Sequence, residues 1–316
     1  MLKVGLVGVG GISGAHIPAW QSMEDVELVA LCDVRPEQMT RYPELRRYTD
    51  MDDMLAKEQL DILDICLPTY LHADAAVKAM ERGIHVLSEK PVSLKTEDVH
   101  RLYETAKRNN VRFMVAQVLR FWPEYVYLNE IYDSGRYGKL LSGMMQRIGV
   151  RPKWSWDGWM SDEKRSGLVP FDLHIHDLDF LVNAFGAPKG ASDRRARRPE
   201  QDYFVATYEF DGFFVTAEAA WYDSPYPFTA GFRFQFEHAV VAWEHGKLTV
   251  YEQEGKVFEP LSAEAKVGDT GDIGLPQSDA YANEIDYFAD CVRNGTFPDK
   301  VRPEQLETVI DILKSL

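Results

Sequence analysis

The sequence predicts an α/β protein with a doubly wound parallel sheet in its first part and an α+β domain with a mostly antiparallel sheet after it. Up to about Val118, short apolar β-rich runs alternate with helical stretches, which is the pattern of βαβ units. Beyond Arg120 the strand-like runs follow one another and are separated by turn signals such as Asp211-Gly212. We therefore predict two domains, residues 1–119 and residues 120–316.

The first domain is predicted to contain five parallel strands. They are Lys3–Val7, Glu27–Cys32, Asp61–Cys66, His85–Ser88 and Arg112–Ala116. Two helical stretches between them, Ala73–Arg82 and Thr96–Asn109, end at Gly83 and at Asn109-Asn110. These residues favour the end of a helix, so the boundaries agree with the strand positions.

The second domain is predicted to be an antiparallel sheet with helices on one face. The predicted strands are Leu140–Gly149, Tyr203–Phe210, Phe213–Trp221, Thr229–Phe236 and Leu248–Tyr251. The predicted helices are Glu124–Tyr132, Asp172–Phe185, Asp279–Arg293 and Pro303–Leu316.

Composition and charge narrow the classes of partner. The formal net charge of -15 opposes binding to nucleic acid or to an anionic membrane, so a small neutral ligand is favoured. The cluster Arg194–Arg198 is interpreted as a solvated strand end or loop. The cysteines Cys32, Cys66 and Cys291 have no close pairing, which fits a reducing compartment. Without a signal-peptide pattern or an apolar run long enough for a membrane span, we expect a cytoplasmic protein.

A glycine-rich turn follows the first predicted strand and is the first candidate site. It runs Gly8-Val9-Gly10-Gly11-Ile12-Ser13 and opens a helix. Gly8 permits a tight turn, and Gly10 allows backbone amides to approach a diphosphate at the helix N-terminus. Ser13 occupies a position where glycine or alanine is usual. The turn predicts a dinucleotide-binding site to which Gly11, Ile12 and Ser13 also contribute.

An acidic residue at the end of the second predicted strand supports this interpretation. Asp33 lies about 20 residues beyond the turn, where a carboxylate can bind ribose hydroxyls. A carboxylate there also repels a 2′-phosphate, so NAD is favoured over NADP. Arg35 is close enough to weaken that preference, which leaves NADP open.

Three motifs in order show a resemblance to a known family. With Gly8-Val9-Gly10, Leu67-Pro68-Thr69-Tyr70-Leu71-His72 and Glu89-Lys90-Pro91, the chain resembles the Gfo/Idh/MocA oxidoreductases, the family of glucose–fructose oxidoreductase and inositol dehydrogenase. The likeness spans essentially the whole length, and Glu-Lys-Pro is its most specific element. It implies a Rossmann domain followed by an α/β domain with an open, mostly antiparallel sheet, and a homodimer or homotetramer formed through that sheet.

The resemblance also implies roles for particular residues. Lys90 would reach both the nicotinamide ribose and a substrate hydroxyl, and Lys90-Pro91 would be a cis peptide. An ammonium at the carboxyl end of a strand in such a sheet faces the ligand crevice, where it can stabilise an alkoxide-like oxygen. Further cofactor contacts are predicted at Pro68, Thr69, His72, Glu89 and Gln117.

A polar stripe on a predicted helix is the second candidate site. On an α-helix through residues 172–185, four polar side chains share one face: Asp172, His176, Asp179 and Asn183. An adjacent apolar face consists of Leu178, Leu181, Val182 and Phe185. The family's pattern Asp-x-Gly-x-His-x-x-Asp maps onto Asp172, His176 and Asp179, with His174 in place of glycine. We assign Asp172, His174 and His176 to the substrate pocket.

The polar stripe has one alternative interpretation, a metal-binding site. On a helix His174 and His176 point about 200° apart, so both cannot bind one ion, and metal is disfavoured. Our hypothesis is that His176 takes the hydroxyl proton as general base, since its unperturbed pKa of about 6.5 lies near operating pH. Asp172 would orient the imidazole, and Lys90 would stabilise the developing oxyanion.

Residues that follow the last strand of the first domain are predicted to line an interdomain cleft. They are Gln117, Arg120 and Trp122. Arg120 either binds substrate hydroxyls or a carboxylate, or forms a domain-bridging ion pair. Trp156 and Trp159 belong to a Trp-rich loop that forms a pocket wall for sugar rings, or else part of the core or a subunit interface.

Together these features predict an NAD(P)-dependent oxidoreductase that transfers hydride between nicotinamide and a hydroxyl-bearing carbon of a sugar, inositol or related polyol. Two alternatives stay open. One is an NAD-dependent glycosidase or sugar–sugar oxidoreductase with tightly bound NAD. The other is a non-enzymatic nicotinamide sensor, which would not need an acid/base set.

Overall fold

The computed structural model describes residues 1–261 and 278–316, and strands (β) and helices (α) are numbered in chain order. The described residues form two compact units: residues 1–118 with 278–303, and residues 119–261 with 304–316. Within the described ranges, no helix has the length and apolar character needed to span a membrane.

The first unit contains a parallel sheet. Its strands are β1 (Leu2–Val7), β2 (Val26–Cys32), β3 (Arg46–Tyr48), β4 (Ile62–Ile65), β5 (His85–Glu89) and β6 (Phe113–Ala116). Its helices are α1 (Ser13–Gln21), α2 (Met51–Lys57), α3 (Thr69–Met80), α4 (Thr96–Arg108) and α8 (Ala280–Asn294). The order β3-β2-β1-β4-β5-β6 is that of a doubly wound sheet, and the five predicted strands are all present. Every residue of β4 and β6 is buried, as in a parallel sheet covered on both faces.

Helix α8 joins the first unit, whereas the predicted division placed it in the second domain. Its Tyr281 ring lies 6.0 Å from the ring of His16 on α1, and its Arg293 pairs with Asp25 at 2.6 Å. An apolar helix face can complete the core of either unit. The position of α8 along the chain does not decide which of the two units it joins. The structure therefore differs from the contiguous domains 1–119 and 120–316.

The second unit contains a mostly antiparallel sheet. Its strands are β7 (Leu140–Val150), β8 (Gly190–Arg198), β9 (Gln201–Glu209), β10 (Phe214–Tyr222), β11 (Thr229–Phe236), β12 (Ala239–Glu244), β13 (Lys247–Glu252) and β14 (Val257–Phe258). Its helices are α5 (Pro123–Ser134), α6 (Glu163–Ser166), α7 (Ile175–Phe185) and α9 (Pro303–Ser315). The strand order is β14-β13-β12-β11-β7-β10-β9-β8, and β7 and β10 form a parallel pair within it. The predicted fold class is confirmed.

An aromatic cluster forms much of the core of the second unit. Tyr125 on α5 makes edge contacts with Phe180, Phe232 and Trp243, at centroid distances of 5.0, 5.0 and 5.7 Å. Buried residues alternate with less buried ones along β9, so one face of the sheet carries this core. The cluster holds α5 and α7 against the sheet, and α7 carries the second candidate site.

The arginine cluster lies within strand β8, at one edge of the second sheet. Arg195 pairs with Asp202 at 2.7 Å, and Arg197 pairs with Glu163 at 2.9 Å. A charged edge strand discourages pairing with another chain. The predicted solvated strand end is confirmed, because Arg194–Arg198 are the last five residues of β8 and all are exposed.

Candidate active site

The glycine-rich turn connects β1 to α1 and leaves room for a ligand. Gly8 has φ +90°, and a Cβ on it would lie 2.5 Å from the Cys66 carbonyl oxygen, so only glycine fits. A Cβ on Gly10 would meet no atom of the described residues within 4 Å. The backbone of this turn is therefore open to a bulky group, as a dinucleotide diphosphate requires.

The N-terminus of α1 has the character of an anion site. Ile12 occupies the N-cap position, and no side chain in the described part of the chain caps the helix there. The Gly14 and Ala15 amides donate to the Gly11 and Ile12 carbonyls at 3.1 and 2.9 Å, so a diphosphate would be bound by the amides that precede them in the turn. Ser13 is fully buried and donates its hydroxyl to the Gly10 carbonyl at 2.7 Å, so it shapes the turn. Gly11 is half-buried, like Ile12.

Asp33 ties the end of β2 to the glycine turn. Its carboxylate accepts the Val9 N–H at 2.8 Å, the Arg35 N–H at 2.8 Å and the Arg35 Nε–H at 3.3 Å. A carboxylate offers about four acceptor positions, so capacity for a ribose hydroxyl remains. These hydrogen bonds fix the orientation of the Asp33 carboxylate beside the glycine turn.

The two other motifs of the first unit are held together by His72. Its Nε2 lies 2.6 Å from the Leu67 carbonyl oxygen and its Nδ1 lies 2.8 Å from the Pro91 carbonyl oxygen. Burial lowers the pKa of His72, although these carbonyls oppose the shift. His72 is almost fully buried, so the structure gives it a bracing position between the two turns.

Lys90 follows β5, at the carboxyl ends of the parallel strands. It is half-buried, and its backbone N–H donates to the Glu89 carboxylate at 3.0 Å. The Lys90-Pro91 peptide is cis, as the resemblance implied. Among the other predicted contacts Pro68 is half-buried, whereas Thr69 and Gln117 are buried.

The polar stripe in the second unit begins with a change of helix type. Residues Pro170–His174 form a π-helical turn, which leads into α7. Asp172 and His176 are half-buried, whereas Asp179 is 1% exposed. A π turn places one more residue per turn than an α-helix and rotates the side chains relative to α-helical spacing. The predicted continuous face is split beyond that turn, inside α7, where His176 is half-buried and Asp179, three residues later, is closed off by packing.

The buried part of the stripe is occupied by Arg120. Its guanidinium donates to both oxygens of Asp179, at 2.6 and 2.9 Å, and the two side chains are each 1% exposed. It also donates to Asn183 at 3.3 Å and to Gln305 at 2.6 Å. This ion pair lies inside the second unit, and the substrate and domain-bridging roles of Arg120 stay predictions.

A second buried ion pair, between Asp177 and Arg147, was missed by sequence reasoning. Arg147 on β7 donates to Asp177 at 2.9 Å and to the Tyr125 hydroxyl at 3.0 Å. Burial raises the pKa of Asp177, although the charge of Arg147 opposes that shift. The signal was present, since Arg147 interrupts the buried positions of a strand and Asp177 lies beside the apolar face of the helix.

His174 lies in the core and not in an accessible pocket. It is fully buried, its Nε2 lies 2.6 Å from the Tyr208 hydroxyl, and its ring meets Phe204 edge-on at 4.7 Å. Burial, together with the nearby charge of Arg147, lowers the pKa of His174 to about 3. This buried position does not fit the predicted contact of His174 with substrate. The sheet covers the side of the helix that carries His174.

The neutral state of His174 predicts a pH dependence of stability. The unfolded chain takes up the proton near pH 6.5 and the folded chain only near pH 3, so stability is full above 6.5 and falls as pH drops between these values. Between pH 7 and pH 5 the loss from this group is about 2 kcal/mol. Denaturant titrations at both pH values should show wild type losing that much more than His174→Gln. Equal pH dependence in the two proteins would contradict the assignment.

The tryptophans predicted to contact substrate differ in exposure. Trp122 is 5% exposed and packs 6.0 Å from Trp243, which places it in the core of the second unit. Trp156 is 39% exposed and Trp159 is half-buried, both in a short helical turn at Trp156–Ser161. Trp156 and Trp159 therefore keep the accessible position that a sugar-stacking role needs, whereas Trp122 does not.

The strand order, the open glycine turn and Asp33 together define an NAD-binding Rossmann protein. Two family models match the chain: an oxidoreductase family with an NAD-binding Rossmann fold over residues 2–117, and a GFO/IDH/MocA C-terminal domain over residues 125–251. The chain belongs to the Gfo/Idh/MocA oxidoreductase family.

Known relatives include both dehydrogenases and a hydratase. D-apiose dehydrogenase of Paraburkholderia graminis is 28% identical over 188 residues, 58% of this chain and 50% of that protein. The 2,7-anhydro-N-acetylneuraminate hydratase of Escherichia coli is 28% identical over 189 residues, 59% of this chain and 50% of that protein. The chain thus spans about half the length of these relatives.

A solved structure shares the fold over nearly the whole chain. The myo-inositol 2-dehydrogenase of Lactobacillus plantarum superposes with a TM-score of 0.81 at 22% identity, covering 99% of this chain and 95% of that one. At this level of identity the likeness establishes the fold.

Proposed function

We propose that this protein is an NAD-dependent dehydrogenase that oxidises a hydroxyl-bearing carbon of a sugar, inositol or related polyol. The observation that carries the proposal is the position of Lys90. It follows β5 at the carboxyl end of the sheet that also presents the open glycine turn and Asp33. Relatives named for D-apiose and myo-inositol support this substrate class.

The residues that fit the proposed reaction supply acid/base chemistry and charge stabilisation. Bound NAD supplies a hydride acceptor. His176 takes the proton of the substrate hydroxyl as general base. Asp172 orients the imidazole, and the ammonium of Lys90 stabilises negative charge that develops on the hydroxyl oxygen. Arg120 and Asp179 hold α7 in place without contacting substrate.

Cofactor preference depends on the charge of Asp33. Asp33→Asn keeps an oxygen that accepts the Val9 N–H but removes the charge that repels a 2′-phosphate. We expect the ratio of NADPH to NADH dissociation constants to fall about tenfold, which corresponds to about 1.4 kcal/mol. Fluorescence titration measures it without a substrate. The control Asp53→Asn neutralises an exposed carboxylate of the same unit and should leave the ratio unchanged, so equal ratios in both variants would refute the role of Asp33.

The test of the activity is a substrate panel. Reduction of NAD and NADP is followed by absorbance over inositols, aldoses and sugar acids, with Lys90→Met as the inactive control. Turnover with a member of the panel that Lys90→Met abolishes is the expected result. No reduction with any member contradicts the dehydrogenase proposal.

A second candidate is a reaction with no net oxidation, favoured by the relative named as a hydratase. In that case NAD stays bound and no reduced cofactor accumulates. Two observations would distinguish this reaction from a dehydrogenase reaction. They are a cofactor that copurifies with the protein, and conversion of a glycoside or anhydro sugar without a change in the absorbance of NADH.

The proposal includes a homodimer or homotetramer formed through the C-terminal sheet. Met144 on β7 and Phe214 on β10 are 38% and 49% exposed there, so they can supply apolar surface to such an interface. Light scattering of the purified protein measures the stoichiometry.

A further inference from the structure

A buried cluster of charged side chains in the first unit joins His16 and Asp64, which have no predicted role, to Glu89, a predicted cofactor contact. His16 is on α1, Asp64 is on β4 and Glu89 ends β5. His16 Nδ1 lies 2.9 Å from an Asp64 oxygen, and His16 Nε2 lies 3.1 Å from a Glu89 oxygen. His16 and Asp64 are fully buried, and Glu89 is 7% exposed. One imidazole therefore bridges two carboxylates from two strands.

The geometry fits His16 as an imidazolium between two ionised carboxylates. An ionised carboxylate can only accept, so both ring nitrogens must donate. Burial alone would lower the pKa of His16, but the charges and hydrogen bonds of Asp64 and Cys66 together outweigh it, and the pKa lies well above its usual value. Burial would raise the pKa of Glu89, and the hydrogen bond and charge of His16 lower it instead. The bridge is thus doubly charge-assisted.

The cluster is complete as a hydrogen-bonded network without an ion. In the described part of the chain, His16, Asp64 and Cys66 are the one group whose donor atoms lie close enough to hold a metal, within 4.8 Å of one another. However, the Asp64 oxygen that faces His16 also accepts the Trp20 indole N–H at 2.7 Å. The other oxygen lies 3.8 Å from the Cys66 thiol, which donates to it. We therefore interpret the cluster as a structural network and not as a metal site.

Glu89 extends the network to the lysine of the proposed reaction. One of its oxygens faces His16, and the other accepts the backbone N–H of Lys90 at 3.0 Å. Helix α1 carries His16 and begins at the glycine turn. The His16 side chain thus connects α1, the helix at the glycine turn, to Glu89, the residue that precedes Lys90.

We propose that His16 is a positioning residue that holds the Lys90 turn in register with the glycine turn, so that the nicotinamide half of the cofactor is aligned when its diphosphate binds. The inference rests on the role of Lys90 in the proposed function. Truncating or neutralising His16 leaves Asp64 and Glu89 as facing buried carboxylates, which moves the strand end that carries Lys90.

The test compares two ligands that differ at the nicotinamide end. His16→Gln has one amide nitrogen, so it can donate to one carboxylate while its oxygen faces the other. We expect NADH to bind about tenfold more weakly, ADP to bind within about twofold of wild type, and the fluorescence enhancement of bound NADH to diminish. An equal loss of affinity for NADH and for ADP, or no loss of affinity for either, would overturn the proposal.

The matched control is Trp20→Phe. It removes another N–H donor from the same Asp64 oxygen but leaves the contact of His16 with Glu89. We expect lower stability with an unchanged ratio of NADH to ADP affinity. A changed ratio in Trp20→Phe would show that damage around Asp64 alone explains the effect, and the positioning role would fail.

Glu89→Gln tests the same link if His16→Gln does not fold. The amide keeps an acceptor for the Lys90 N–H and removes the ion pair, so NADH binding should again weaken selectively. The double variant should bind NADH no more weakly than either single variant, because both remove one link. If the losses of NADH affinity in the two single variants added up in the double variant, the proposed link between His16 and Glu89 would be refuted. These titrations use no substrate, so their outcome is the same whether or not the panel finds a polyol that turns over.

Discussion

Replacing His176 by alanine is expected to lower kcat by about 10²- to 10⁴-fold, the usual contribution of a general base. NADH affinity should stay near wild type, because the residues that fit the dinucleotide are in the other compact unit. Loss of the proton acceptor leaves the hydroxyl protonated while its carbon gives up hydride. The rate of cofactor reduction with a substrate found by the panel measures this, and added imidazole should restore part of the rate.

His174 provides the matched control for this variant. It is the same residue type two positions earlier, but it is fully buried against Phe204 and Tyr208. His174→Gln should change stability and its pH dependence while kcat of the folded protein stays within about threefold. Full turnover in His176→Ala with normal NADH binding would remove His176 from the mechanism.

Replacing Asp179 by alanine is expected to destabilise the second unit by about 3–5 kcal/mol, because it leaves the Arg120 guanidinium buried without its carboxylate. The variant Arg120→Met/Asp179→Leu should recover most of that loss, since it removes both charges from the core. Denaturant unfolding followed by tryptophan fluorescence reports mainly on this unit. Of the seven tryptophans only Trp20 is in the first.

An exposed ion pair of the same chemistry provides the comparison. Arg233 and Glu244, 3.2 Å apart on neighbouring strands, are 55% and 51% exposed. Glu244→Ala should change stability by less than about 1 kcal/mol, because water screens the pair. If Asp179→Ala were no more destabilising than Glu244→Ala, the buried pair would not be what holds α7.

The candidate residues of the first unit were predictable from the sequence because their geometry is local. In a doubly wound sheet, residues that directly follow parallel strands reach a common edge. Gly8, Asp33 and Lys90 each stand within a few residues of a strand end, so chain order was enough to bring them to that edge. Ser13 shows the limit, since its hydroxyl turns inward to the Gly10 carbonyl.

The candidate residues of the second unit could be predicted only in part. Helical spacing identified the apolar face of α7, and Leu178, Leu181 and Val182 are indeed buried. It could not distinguish the accessible His176 from the buried His174, because two sides of the helix are polar and the sheet covers one of them. The π-helical turn at Pro170–His174 adds a rotation that a fixed period of 3.6 residues does not contain.

The sequence by itself determined the fold class, the dinucleotide turn and the lysine at the strand end, since these depend on order along one strand–turn–helix unit. Only the tertiary structure decided that Arg120 is closed off by Asp179, that His174 is core, and that His16 bridges Asp64 and Glu89. The physical reason is that burial and protonation depend on neighbours from distant strands. A charged side chain looks the same in a sequence whether it faces water or a buried counter-charge.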